Sequence, residues 1–299
     1  MDLESISGLL LTALMRGSLY ALMALGLSLV FGVMNIPQFA HGEFYMLGAY
    51  VAYFTFHSVH LDPILTIIAA ALAGFLAGAI VERMIILPLY RRSREEWVMN
   101  SFLLTVGISF VMQNLAHAVW GGNYLGITRY WQGSVRFAGN AAIPVDRLVS
   151  FGIAIAAIIS FWLFLTRTRT GRAIRAVAQD ETGAMLVGID PGRIRTLTFA
   201  LSTMLAALAG ACLLSMIPAH PSMGREPLYK SWVVVILGGL SNVGAAIPAG
   251  FIVGILETLS YYLFGSSWQN VVSLLLIILI LLWKPGGLFA SRVKGIWER

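Results

Sequence analysis

GSLYALMALGLSLVFGVMNIPQFAHGEFYMLGAY (Gly17–Tyr50) is the stretch whose reading decides the fold. An apolar run from about Ile6 to Phe31 ends in Asn35-Ile-Pro37-Gln38-Phe-Ala-His41-Gly42-Glu43, and a second run, Phe44 to Val59, follows at once. Pro37 removes a backbone donor and the glycines permit close packing or local unwinding, so a helix is expected to break here with polar side chains turned into a bundle interior. The alternative is an interfacial loop between two crossings.

The rest of the chain agrees with a membrane setting. Of 299 residues, 58% are hydrophobic before 30 glycines are counted, and 11% are charged, against about 25% charged in an ordinary soluble domain. With a mean hydropathy of +0.81, the chain cannot cover a water-facing surface of its size. A soluble fold is excluded and a polytopic membrane protein remains, with room for at most roughly ten helices at about 20 residues per crossing. The single cysteine, Cys212 in LAGACLLSM, rules out an intramolecular disulfide and CxxC chemistry and suits small-residue packing. MDLESIS lacks the basic flank of a secretory signal, so the first apolar segment is expected to be retained as structure.

Further apolar runs extend over Ile64–Leu87, Val98–Trp120, Leu148–Leu165, Thr196–Ile217, Trp232–Leu240, Ala245–Phe264 and Val271–Trp283. The expectation is an all-α polytopic membrane protein, one transmembrane domain over residues 1–299 with about eight transmembrane helices and broken or re-entrant elements. Trp232–Leu240 is too short to cross alone and reads as a half-helix. Lys and Arg in short loops set the orientation. Arg91, Arg92 and Arg94, then Arg167, Arg169, Arg172, Arg175, Arg193 and Arg195, then Arg292, Lys294 and Arg299 make 12 of the 20 basic residues. All three segments are placed in the cytoplasm. The loops Gly121–Arg147 and Pro218–Lys230 then face outside, where Trp120, Tyr124, Tyr130, Trp131 and Tyr229 suit an interface. The net charge of +6 therefore orients the chain rather than binding nucleic acid. Arg16 interrupts the first run, which leaves the side of the N-terminus open.

A second break, Leu237-Gly238-Gly239-Leu-Ser241-Asn242-Val-Gly244-Ala-Ala-Ile-Pro248, mirrors the first, and such paired interruptions point to a central pathway in transporters. Ionisable residues within apolar runs are costly and therefore informative. Glu82 with Arg83, near Pro88, reads as an interfacial pair snorkelling toward water. Glu257, in Gly254-Ile-Leu-Glu257, suits either a buried hydrogen bond or a pathway. His41 and Glu43, two apart, cannot share a helix face, which favours a cap or break role. No aspartate (2, 62, 146, 180, 190) falls inside a run, no two histidines have the HExxH spacing of a metal site, and no GxxxxGK[ST] motif occurs, so any nucleotide would be hydrolysed by another subunit.

Residues 166–195 form the longest polar stretch. Within it Ile174, Val177 and Ala178, then Met185, Leu186 and Ile189, follow helical spacing in two short pieces. Asp180 and Glu181 could begin the second piece, with Gly188 and Pro191-Gly192 ending it. Such an amphipathic element either docks in a partner's groove or lies flat at the headgroups.

Gly17–Tyr50, Glu82-Arg83 before Pro88, GRAIRAVAQDETGAMLVGID (Gly171–Asp190) and VVVILGGLSNVGAAIPAGFIVGILETL (Val233–Leu259) together resemble the permease subunits of the branched-chain amino acid type of ABC importer, in particular the first of two related permeases. The resemblance covers nearly the whole chain. It implies pseudo-symmetric inverted repeats in a bacterial inner membrane, a second related permease, two cytoplasmic ATPases using ATP and Mg, and an extracytoplasmic substrate-binding protein. It makes residues 166–195 a coupling loop, with Gln179, Asp180, Ala184, Leu186 and Gly188 meeting the ATPase. It makes Asn35, Gln38, His41, Glu43, Ser241, Asn242 and Glu257 candidates to line or gate the passage. Gln38 departs from the asparagine that many relatives place before FAHG, which bears on the substrate. The substrate implied is a branched-chain or other hydrophobic amino acid, with urea, short amides or aromatic acids as alternatives. A stand-alone secondary transporter or channel is the rival that predicts flux by this chain alone. An intramembrane enzyme would have to pair Ser241 or Ser266 with a distant histidine.

Overall fold

A computed structural model describes residues 3–92, 96–136, 142–240, 242–284 and 286–289. Arg94, Ser241, Arg292, Lys294 and Arg299 lie outside the described residues. The first half comprises α1 (Leu3–Met34), α2 (His41–His57), α3 (Pro63–Val81), a π-helical turn (Glu82–Ile86), α4 (Leu87–Arg92) and α5 (Trp97–Trp120). A short antiparallel hairpin follows, β1 (Ser134–Arg136) with β2 (Ala142–Pro144), Ser134 facing Pro144 and Arg136 facing Ala142. Then come α6 (Val145–Arg167), α7 (Arg169–Gln179), α8 (Glu181–Leu186), α9 (Pro191–Leu213), α10 (Arg225–Gly238), a 3-10 turn (Val243–Ala245), α11 (Ala246–Phe264) and α12 (Trp268–Trp283).

Local chemistry fixes the boundaries. Asp62 caps α3 by accepting from the Ile64 amide at 2.9 Å with Pro63 in the first turn, and Asp190 caps α9 through Gly192 at 2.9 Å with Pro191 in the same place. Proline has no amide to leave unsatisfied there. Pro191-Gly192 thus opens α9 rather than closing the element before it. At the far end of α1, Asn35 adopts φ +53, a left-handed conformation that stops the helix.

Six described stretches are long and apolar enough to cross a membrane: Gly8–Met34, Pro63–Arg92, Trp97–Trp120, Val145–Arg167, Pro191–Leu213 and Val243–Phe264. That is fewer than the eight expected. The difference lies in α2, α10 and α12, of 17, 14 and 16 residues, too short at about 1.5 Å per residue to cross a core of about 30 Å unaided. Exposed apolar side chains recur along α3 (Ile64, Ile68, Leu72, Leu76, Ile80) and continue on α5 and α12, faces that suit lipid rather than water.

Two close helix pairs organise the core. Gly74 and Gly78 on α3 let it approach Ala207 and Thr203 of α9, while Gly250 and Gly254 on α11 let it approach Ala21 and Gly17 of α1. Both are GxxxG pairings of antiparallel helices, in which a missing Cβ allows backbone contact. Helices α3 and α11 thus rest on α9 and α1 by the same small-residue device.

The arginine-bearing ends of α4, α6, α7 and α9 gather at one end of the bundle, where Tyr90 meets Glu181 and Glu82 meets Thr196. The N-terminal half of α1 sits at the other end, beside β2 and His220. Helix α1 continues unbroken through Arg16, which settles the side of its N-terminus relative to the arginines. Two further expectations are corrected. Pro218–Lys230 is not wholly an external loop, since α10 starts at Arg225 and buries Lys230. Tyr130, expected at an interface, is buried, its hydroxyl donating to the Ala211 carbonyl at 3.0 Å.

Candidate translocation core and coupling segment

Helices α2 and α10 both begin inside the bundle, and their first residues meet. A Cβ on Gly42 would strike the carbonyl of Gly224, and a Cβ on Gly224 would strike that of Gly42. This reciprocal contact marks where α2 and α10 cross. From it α2 runs toward the hairpin end and α10 toward the arginine-bearing end.

The break between α1 and α2 is tied to α5. Trp97 Nε1 donates to the Met34 carbonyl at 3.0 Å. Thr105 Oγ1 donates to the Pro37 carbonyl at 3.0 Å and accepts from the Phe39 amide at 3.3 Å, so one hydroxyl satisfies both backbone groups beside the proline. Asn35 is exposed at the start of the break; Gln38, His41 and Glu43 are buried. His41 Nε2 donates to the Met23 carbonyl at 3.0 Å, while its Nδ1 lies 3.5 Å from Ser202 Oγ. Gln38 Oε1 accepts from the same hydroxyl at 3.4 Å. Glu43 turns the other way, accepting from Ser109 at 2.9 Å and Gln113 at 2.6 Å on α5. His41 and Glu43 therefore serve different walls, as their spacing required.

The second break holds Asn242, which caps the 3-10 turn through the Ala245 amide at 3.2 Å and donates to the Phe289 carbonyl at 3.0 Å. Ser241 is not described. Glu257 is fully buried and accepts from Lys230, from Tyr20 at 2.8 Å and from Gln269 at 3.2 Å. It is a core ion pair behind a wall rather than a lining group. Glu82 is also buried, accepting from Thr196, and only Arg83 reaches the surface; the expected snorkelling pair is thus split.

A cavity of about 800 Å³ lies between α1, α9 and α10 and runs from the hairpin end inward to Met23 and Tyr45. None of the described sequence candidates lines it; Glu257 lies behind its wall, bonded to the lining residues Tyr20, Lys230 and Gln269. Its ionisable lining (Arg16, Arg147, Arg225, Glu226, Lys230) was missed, because the half-helix that carries three of these residues reads as polar loop. The signal was present in Glu226 and Lys230, four apart and immediately before an apolar run.

At the arginine-bearing end, α7 and α8 are two pieces broken at Asp180, whose carboxylate caps α8 through the Thr182 amide at 2.9 Å. Gly188, at φ +83, turns the chain after α8. Ile174 and Val177 are buried, whereas Met185, Leu186 and Val187 are 48%, 85% and 75% exposed. Gln179, Asp180 and Gly188 are exposed as well. Ala184 is the exception among the predicted contact residues: it is 4% exposed, on the inner side of α8, and cannot meet a partner. Besides the buried Ile174, Val177 and Ala184, a polar chain links α8 to the core. Tyr90 of α4 donates to Glu181 at 3.1 Å, and the Arg195 guanidinium lies 3.4 Å above the Tyr90 ring and 5.4 Å from Trp97.

The family described as branched-chain amino acid transport system / permease component matches residues 9–281. The chain is 30% identical to the high-affinity branched-chain amino acid transport permease LivH of Salmonella typhimurium, over 91% of each chain. It is 30% identical to BraD of Pseudomonas aeruginosa over 93% of this chain and 94% of that one. It is 26% identical to the LivM permease of Escherichia coli K12 over 90% of this chain and 67% of that one. No solved structure matches.

Proposed function

Since the chain belongs to the permease components of branched-chain amino acid transport systems, we propose that it forms one half of the membrane passage of an ATP-driven importer of branched-chain or other hydrophobic amino acids. The other half is a second related permease, for which the similarity to both LivH and LivM gives the pattern. Two ATPases on the cytoplasmic face bind and hydrolyse ATP with Mg, and an extracytoplasmic binding protein delivers substrate at the hairpin end. The setting is a bacterial inner membrane.

The observation that carries this reading is the exposed apolar tip of α8, Met185-Leu186-Val187, wired by Glu181 and Tyr90 to the helices that cross the membrane. A surface of that kind on a short rigid element fits a groove in a partner. Closure of the ATPase pair then displaces α7 and α8. Tyr90, Arg195 and Trp97 pass the displacement to Met34, the last residue before the break in α1, and the two inverted halves alternate access between the two sides.

Co-purification tests it. The chain, tagged and extracted in mild detergent, is expected to bring down an ATPase and a second permease, and substitution of Asp180 or Gly188 is expected to lower ATP-dependent uptake of leucine. Flux through the chain alone in liposomes, with no ATPase bound, would overturn the proposal.

A further inference from the structure

We propose that the cavity between α1, α9 and α10 is a transit site for a zwitterionic amino acid, holding its carboxylate on Arg16 and Tyr45, its ammonium on Glu226 and its apolar side chain among methionines. This rests on the functional reading above and adds a binding site to it.

Two buried polar atoms point to a ligand. The hydroxyl of Tyr45, a fully buried residue, and Nη1 of Arg16 both have no hydrogen-bond partner among the described residues, and both side chains line the cavity. Buried donors of this kind are costly unless something binds them. Their common complement is an anionic oxygen, which accepts charge-assisted bonds from a guanidinium and a phenol together. The charge balance agrees, since the lining carries Arg16, Arg147, Arg225 and Lys230 against Glu226 as the lining carboxylate. Lys230 is matched by Glu257 behind the wall and Arg225 donates to Gln113 at 3.0 Å, which leaves Arg16 and Arg147; Arg147 is exposed, whereas Arg16 is half-buried, with its guanidinium 5.8 Å from the Tyr261 ring.

The remaining wall fits a hydrophobic side chain. Met15, Met23, Met216 and Met223 line the cavity with Leu19 and Ile217. Methionine is flexible and polarizable and accommodates apolar groups of differing shape, which suits several hydrophobic amino acids rather than one. The volume of about 800 Å³ falls within the range of small-molecule sites, about 300–1,000 Å³. A phospholipid headgroup shares the anionic chemistry, but it stays at the interface. Tyr45 lies on α2 one turn from the Gly42–Gly224 crossing, deep inside the bundle.

The test uses the complete transporter, purified through this chain and reconstituted in proteoliposomes, with Met216→Cys as a reporter; wild type, whose Cys212 is buried, sets the background. The anionic thiol reagent sodium (2-sulfonatoethyl)methanethiosulfonate is expected to label the reporter. Leucine is expected to slow labelling, and leucinol, which lacks the carboxylate, is not. Arg16→Gln is expected to raise the leucine concentration for half-protection by about tenfold or more, the scale of one lost bond to a charged group. Arg16→Lys is expected to keep part of the protection, and Glu226→Gln gives an independent variant if Arg16→Gln does not assemble. No labelling, no protection by leucine, or equal protection by leucinol would each sink the site. Labelling governed by the phosphatidylglycerol content of the vesicles and indifferent to leucine would assign the cavity to lipid, and also overturn it. ATP-driven leucine uptake by wild type, measured in the same vesicles, separates the two ideas. Uptake without protection ends the site alone, and protection without uptake ends the importer reading alone.

Discussion

Glu257 receives hydrogen bonds from Tyr20, Lys230 and Gln269 where none of its surface meets solvent. Removing one member of such a buried pair leaves the other charge uncompensated, at a cost of about 3–5 kcal/mol, whereas replacing both with apolar groups is often neutral. Glu257→Gln is therefore expected to lower the thermal midpoint in detergent sharply, and Glu257→Leu with Lys230→Met to recover most of the loss. Equal losses in the single and double variants would count against the pairing. At the helix crossing, Gly42→Ala places a methyl on the Gly224 carbonyl. Overpacking of this sort costs about 1–3 kcal/mol, and the variant is expected to lose uptake through a shifted α2 while still reaching the membrane. Sequence reasoning identified Gln38, His41 and Glu43 as polar groups in an interior break because apolar runs and Pro37 bracket them. It could not assign Glu82, because a carboxylate near a helix end has the same local sequence whether it faces water or Thr196 of a distant helix.

Among the elements, α8 carries the clearest expectation. Leu186→Asp on its exposed tip is expected to weaken ATPase capture by roughly 2 kcal/mol, the cost of a contact hot spot, read as loss of co-purified ATPase with the permease pair intact. Tyr90→Phe keeps the ring under Arg195 and loses the bond to Glu181. It is expected to lower substrate moved per ATP by roughly tenfold or more, the scale of a bond to a charged group, while ATP hydrolysis persists. Combining it with Glu181→Gln should add little further; additive effects would break the proposed link. The long helices were legible from apolar length alone. The start of α10 was not, because Arg225, Glu226 and Lys230 read as loop until Glu257 and the cavity supply their partners. Ala184 was misplaced for a related reason: in a six-residue helix, periodicity cannot distinguish the inner side from the outer one. The β1–β2 hairpin is three residues per strand, too short to leave an alternating pattern.

For the molecule as a whole, the proposed function puts the end where the arginines gather in the cytoplasm. A membrane-impermeant thiol reagent is expected to reach Ser134→Cys, on β1, in right-side-out vesicles and Thr182→Cys, on α8, only in inverted ones; the opposite pattern would reverse the molecule. The π-helical turn at Glu82–Ile86, where the Leu87 amide bonds back to the Glu82 carbonyl, adds a consequence of a different kind. It is one residue longer than an α-helical closure, and each α-helical residue advances the chain by about 100°. Leu87–Arg92 is therefore out of phase with α3 by about that angle, and Tyr90 meets Glu181 and Arg195 only with that offset in place. Deleting Met84 would leave the composition of the contact intact yet swing its aromatic aside by about a quarter-turn. The alignment between the membrane core and the surface offered to a partner is thus a matter of residue count, so a relative without the extra residue has to carry its aromatic at a neighbouring position to make the same contact.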